Sequence, residues 1–117
     1  MRQPKAKYHS RKTICSYGHE HDSKREAIRC NELHLMQRAG EIRCLQTQVK
    51  FELLPARKYE GMPNERKIDY IADFVYVRYG VTVIEDSKGH KTKDYIIKRK
   101  LLKNKYCRDG KFVFRET

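Results

Sequence analysis

The chain has 117 residues, with 27 Lys or Arg against 15 Asp or Glu and a formal net charge of +12. That length suits one domain with one modest core. The charge points to a polyanionic partner, with nucleic acid ahead of an anionic membrane surface. No apolar run approaches the ~20 residues needed to span a bilayer. The basic start has no apolar stretch behind it, so no export signal is expected. Cys15, Cys30, Cys44 and Cys107 are therefore expected as reduced thiols in a cytoplasm.

Residues 1–12 carry five basic residues and no acidic one. They read as a basic N-terminal arm, disordered at its extreme and able to touch phosphates. Residues 13–117 read as a single domain. The segment TICSYGHEH, residues 13–21, reads as a small hairpin turning at Tyr17-Gly18. Cys15, His19 and His21 lie close together there, with Cys30 further along, and zinc takes such ligands. The spacing fits no standard finger and lacks a second Cys pair. A plain turn with polar side chains is the expectation, ahead of a zinc site.

Residues 22–40 read as the first helix. Ser23-Lys24-Arg25-Glu26 matches a capping box, in which Ser caps the N-terminus and Glu reaches back. Ala27, Ile28, Leu35, Met36 and Ala39 supply an imperfect apolar face, and Gly40 a C-terminal stop. Within residues 42–54, a strand is expected from Gln48 to Leu54. Val49, Phe51 and Leu53 share one face there, and Lys50, Glu52 and Leu54 the other. Gln48 reads as a strand-end polar residue. Residues 55–67 form a loop punctuated by Pro55, Gly61 and Pro63-Asn64. Arg57, Lys58, Arg66 and Lys67 make it basic, either as a substrate-contacting loop or as a solvated linker.

The chain is organised around Ile71 to Lys88, IADFVYVRYGVTVIEDSK. Two β-branched and aromatic runs flank Tyr79-Gly80, a hairpin signal because Gly takes positive φ at little cost. A two-residue loop pairs Arg78 with Val81 and puts Asp73 directly opposite Asp86. Opposed residues share a face, with Cβ atoms about 5 Å apart. Period-two alternation adds Lys88 to the face of Asp86. A four-residue loop keeps this register, whereas a three-residue loop breaks it. Two carboxylates this close repel unless a cation sits between them, and Mg²⁺ takes such oxygen ligands. The alternative is a surface salt bridge on an exposed sheet face. Asp69, four residues before Asp73, shares its face but lies beyond the cluster.

Residues 88–105 hold eight Lys or Arg and one acid, Asp94. Residues 94–106 read as a second helix, with Asp94 as cap or first-turn acid and Ile97, Leu101, Leu102 and Tyr106 as its buried stripe. Lys91, Lys93, Lys98 and Lys100 are candidate DNA contacts, together with Arg57, Lys58 and Gln48. Lys111 to Arg115 reads as a last strand, parallel to 81–87 through the helix crossover. The expected order is α, three antiparallel strands, α, β, an α/β (α+β) fold with a mixed central sheet flanked by helices.

An Asp in one strand, a hairpin, then Asp-x-Lys closing the next strand resembles the PD-(D/E)XK nuclease superfamily. The residues are Asp73 and Asp86-Ser87-Lys88, with Ala72 where the motif's name has Pro. More closely, the chain resembles a small phage and prophage family catalogued only as a domain of unknown function. The matching pieces are KYHSRKT, DSKREA, AGEIRCLQTQVKFEL, YIADFVY, EDSKG and YIIKRKLL, in that order and over nearly the whole chain. The superfamily resemblance implies a restriction-endonuclease-like αβββαβ core. It also implies an Mg²⁺-dependent (or Mn²⁺-dependent) DNA endonuclease. Asp73, Asp86, Glu26 and the Ser87 backbone carbonyl would hold the metal, and Glu26, Asp73, Asp86 and Lys88 would be catalytic. Glu26 could instead be only the helix cap. Size, charge and hairpin spacing resemble phage endonucleases that resolve Holliday junctions, which implies branched DNA as partner, a homodimer and action in the host cytoplasm. Two other readings are a non-catalytic nucleic-acid-binding protein with this fold and a zinc-stabilised regulatory protein built around Cys15, His19 and His21.

Overall fold

The structure is a computed structural model that describes residues 13–15, 18–21, 23–87 and 91–117. The basic arm (1–12), the tip residue Tyr17 and the candidate catalytic residue Lys88 lie outside the described residues. The elements are β1 (Thr13–Ile14), β2 (Glu20–His21), α1 (Lys24–Arg38), β3 (Arg43–Leu54), β4 (Ile68–Arg78), β5 (Val81–Asp86), α2 (Lys93–Tyr106) and β6 (Phe112–Glu116). β1 and β2 pair antiparallel as a separate small hairpin. The main sheet has order β3-β4-β5-β6, antiparallel except for the parallel β5–β6 pair. This is the expected α+β order with a mixed sheet.

The hairpin register is the expected one. Arg78 pairs with Val81 and Phe74 with Glu85. Tyr79 and Gly80 both take positive φ, 52° and 75°, as a two-residue type I′ loop requires. The Tyr79 ring stands in solvent.

The first helix begins as expected, with Ser23 Oγ accepting from the Glu26 backbone N–H. It ends in a Schellman turn: Glu41 N–H bonds to the Met36 carbonyl and Gly40 N–H to that of Gln37, with Gly40 at φ 80°. Its buried face differs from the expected one. Glu26, Ala27, Cys30 and Leu33 are buried, while Ile28 and Leu35 are exposed. Two of the four inward residues are not aliphatic, so an apolar periodicity could not find the face.

In the second helix Thr92 is the cap, its Oγ1 accepting from Tyr95 N–H, and Asp94 is the first-turn acid. Leu102 is buried, with Leu101, Tyr106 and Tyr95 packed around it. Ile97, expected inside, is exposed. β3 begins at Arg43, five positions before the expected Gln48 start, and β4 begins at Ile68. A bulge between Arg43 and Gln46, with Cys44 at φ 56°, interrupts the alternation that a strand reading depends on.

Two cores sandwich the sheet. Phe74, Tyr76 and Val83 pack with Ala27, Cys30 and Leu33 of α1. Val75 and Ile84 pack with Leu102 of α2. Yet Tyr70 and Ala72 belong to the α2 side, while Phe74 and Tyr76 belong to the α1 side. Strict alternation would keep all four on one face, so the pleat breaks between Ala72 and Phe74, at Asp73. Across from it on β3, between the pairs Thr47↔Phe74 and Val49↔Ala72, stands Gln48 with φ 53°. Gln48 is thus a mid-strand residue in the left-handed region, not a strand-end residue. The fold breaks its own regularity at the place where Asp73 sits.

Candidate functional site

Just beyond the Phe74↔Glu85 pair, carboxylates take over from the backbone ladder. Asp73 N–H donates to Asp86 Oδ1 at 2.9 Å, and Ser87 N–H donates to Asp73 Oδ2 at 2.9 Å. Both side chains are buried, Asp73 5 % and Asp86 0 % exposed. A buried amide bound to a carboxylate contributes about 1.5–3 kcal/mol, and each bond here also fixes one oxygen of its acid. The two acids are therefore held against each other at the carboxyl end of β5. On the far side of β5, Thr117 N–H bonds to the Asp86 carbonyl. The burial rules out an exposed sheet face, on which the alternative reading of this register as a surface salt bridge depended.

Glu26 is also buried. Its Oε2 accepts from His21 Nδ1 at 2.8 Å, and its Oε1 faces Gln48 Nε2 at 3.5 Å. Gln48 stands opposite Asp73, so it links α1 to the broken pleat. The cap of α1 is made by Ser23 and the Glu26 backbone, while the Glu26 carboxylate turns inward.

Glu85, next to Asp86, faces the other way and is wholly buried. Arg29 of α1 grips it with two bonds, Nε–Oε2 at 2.6 Å and Nη2–Oε1 at 2.9 Å, and Tyr76 Oη donates to Oε1 at 2.7 Å. The Glu85 bonds hold the Arg29 guanidinium above its ordinary pKa. Burial, then the Glu85 bond, raises that of Tyr76. This ion pair docks α1 on β5 and sets the helix start beside Ser87. A cleft of about 550 Å³ opens there, lined by Lys24, Arg25, Ile28, Arg29, Glu32, Ser87 and Thr117. Lys24 and Arg25 are exposed. The sequence reading missed these cations because it assigned basic contacts to α2 and the loop.

Among the expected DNA contacts, Lys93, Lys98 and Lys100 are exposed along α2, and Arg57 and Lys58 in the loop. Arg57 is anchored through its backbone to Glu65. Lys91 pairs with Glu116 at 3.1 Å, a residue that Arg99 also binds. Lys98 borders a second cleft with Asp69, Thr92 and Tyr95. Asp69 pairs with Lys67 at 3.3 Å.

The segment expected to be a plain polar turn is different. Cys15, His19, His21 and Cys30 offer one ligand atom each within 4.8 Å of one another, a set that could hold a metal ion. Cys15 Sγ lies 3.5 Å from Cys30 Sγ, and His19 Nδ1 lies 3.3 Å from the same sulfur. None of the cysteines is in a disulfide. Burial, then the Cys15 hydrogen bond, pushes the Cys30 thiol up to about 12. Burial, then His34 and His21, holds His19 below its ordinary value, which favours the neutral imidazole that ligates metals. The local spacing gave no finger pattern because the fourth ligand comes from the second turn of α1.

No helix of the described residues is long and apolar enough to cross a membrane. No curated protein and no solved structure matches the chain. One family profile does, that described as "Protein of unknown function (DUF1064)", over residues 5–116. The match spans nearly the whole chain, and this protein therefore belongs to the DUF1064 family.

Proposed function

We propose that the chain is a metal-dependent deoxyribonuclease of the PD-(D/E)XK type that hydrolyses phosphodiester bonds, with branched DNA as its substrate. The observation that carries this reading is the Asp73–Asp86 pair, buried and amide-fixed just beyond the end of the hairpin register. Binding nucleic acid needs no buried acids beside the phosphate, and they would repel it. The donor set fits a hard divalent cation, because it offers carboxylate oxygens together with the Ser87 carbonyl.

Asp73 and Asp86 would hold Mg²⁺ or Mn²⁺, each with one oxygen already locked by a backbone amide. When bound, the cation lowers the pKa of a water and neutralises charge developing on the phosphate. The His21 and Gln48 contacts of Glu26 favour its acting through water, as an outer support, over direct ligation. Lys88, two residues after Asp86, orients the attacking water and stabilises the phosphorane-like transition state. The water oxygen bonds to phosphorus as the ester P–O bond on the opposite side breaks. Lys24 and Arg25 hold neighbouring phosphates, and Lys93, Lys98 and Lys100 extend that hold along α2. Two strands of a junction need two active sites, hence a homodimer.

The test is cleavage of four-way junction, flap, linear duplex and single strand with Mg²⁺, Mn²⁺ or EDTA, with Asp86→Ala beside the wild type. Metal-dependent cutting that favours junctions and is absent in the variant is expected. Cutting without branch preference would discard the junction substrate and keep the chemistry. Tight binding without cutting in either metal would leave a non-catalytic DNA-binding protein.

A further inference from the structure

We propose that Cys15, His19, His21 and Cys30 bind one structural Zn²⁺ that clamps the β1–β2 hairpin onto α1. Two thiolates and two imidazoles are the donor set of closed, tetrahedral zinc sites, and they disfavour Mg²⁺, which takes oxygen. Zn–S bonds of about 2.3 Å and Zn–N bonds of about 2.0–2.1 Å give tetrahedral edges of roughly 3.3–3.8 Å. The Cys15–Cys30 and Cys30–His19 separations, 3.5 and 3.3 Å, are of that size.

A second observation points to the same ion. His21 is 2 % exposed, and its Nε2 is buried with no hydrogen-bond partner among the described residues. Leaving a buried nitrogen unpaired is costly. Its Nδ1 is committed to Glu26 at 2.8 Å. A carboxylate only accepts, so Nδ1 carries the proton and Nε2 presents a lone pair. Carboxylate–histidine–metal relays have this arrangement: the outer acid fixes the tautomer and the inner nitrogen ligates. His34 lies nearby but outside the set, since its Nδ1–H donates to the Cys30 carbonyl at 2.8 Å. Four protein ligands fill a tetrahedral shell, which leaves the site closed, as structural zinc sites are and catalytic ones are not.

The fold has a use for such a clamp. β1 and β2 are two residues each, far too short to persist as an isolated hairpin. With zinc bound, His21 is pinned, His21 holds Glu26, and Glu26 reaches Gln48 opposite Asp73. The ion then braces the seam from which the acidic site is built. Neither Asp73 nor Asp86 is a ligand, so the proposal stands or falls apart from the nuclease reading.

The experiment uses the full chain, prepared under reductant, given equimolar Zn²⁺ and dialysed, with metal counted by atomic spectrometry. One zinc per chain is expected. Co²⁺ in its place should give the ligand-field and thiolate charge-transfer bands of a tetrahedral site with two sulfurs. Asp86→Ala and His34→Ala should keep the zinc. His19→Ala, partly exposed and therefore the safer variant for folding, should lose at least about tenfold in zinc affinity by chelator competition. Failure to retain zinc, Co²⁺ spectra without thiolate bands, or a Cys15–Cys30 disulfide under reductant would overturn the proposal. So would unchanged affinity in His19→Ala or zinc loss in His34→Ala.

Discussion

Two clusters in this small domain contrast in every chemical respect. At the end of β5, the buried Asp73 and Asp86 present oxygen. Beneath the N-terminal hairpin, Cys15, His19, His21 and Cys30 present sulfur and nitrogen, three of them buried. A hard oxygen donor set suits exchangeable metal, water and phosphate. A soft donor set closed on itself suits an ion that never leaves. Glu26 sits between them, bonded to His21 on one side and facing Gln48 on the other. The comparison teaches that donor chemistry, more than the mere nearness or burial of ligands, separates the centre proposed to react from the one proposed to brace.

The sharpest way to divide the two is Asp86→Ala against Cys30→Ser. Asp86→Ala should lower metal-dependent cleavage by more than about 100-fold, since even outer-layer partners cost 10–100-fold. Its zinc content should stay unchanged in the same preparation. Cys30→Ser should do the reverse at the metal and unfold the hairpin. At a free zinc level 1,000 times the Kd, the wild type gains about 4 kcal/mol that the variant lacks, read as a lower Tm. If both variants lost both properties, the two clusters would be one functional unit.

Glu85→Ala tests the docking of α1 on β5, on which both clusters depend. It leaves Tyr76 Oη unpaired in a buried site and Arg29 to its remaining bond with Glu32, and should destabilise by about 1–3 kcal/mol in denaturant melts, with zinc still bound below the transition. Glu26→Gln probes the shared residue. It should weaken zinc about 10–100-fold and slow cleavage less than Asp86→Ala does. An unchanged zinc affinity would cut the link between the clusters. The smallest effect belongs to Lys24→Ala, which should reduce the salt slope of DNA binding by about 1 at every sequence tested. An unaltered slope would move the phosphate path to α2.

How far each cluster could be read beforehand follows from how local its determinants are. The Asp73–Asp86 pairing depends on a two-residue turn and period-two geometry, all within one stretch of chain. Tyr79-Gly80 encodes that turn, so the register was legible, and the helix crossover made the parallel return of β6 legible. The inward face of α1 was not, because Glu26 and Cys30 point inward for partners supplied by other elements. Gln48 carries no sign of its left-handed backbone, which arises where β3 and β4 break their pleat together.

The chain by itself therefore determined the order of elements, the cap at Ser23, the turn at Gly80 and the meeting of two acids. These are short-range consequences of backbone sterics and side-chain spacing. Tertiary structure alone decided that Cys30 meets Cys15, that Arg29 grips Glu85, and that Glu26 joins His21 to Gln48. Each of those contacts depends on how α1 docks against the sheet and the hairpin. That docking is the sum of many burial and pairing terms spread over distant parts of the chain, and no local pattern records it.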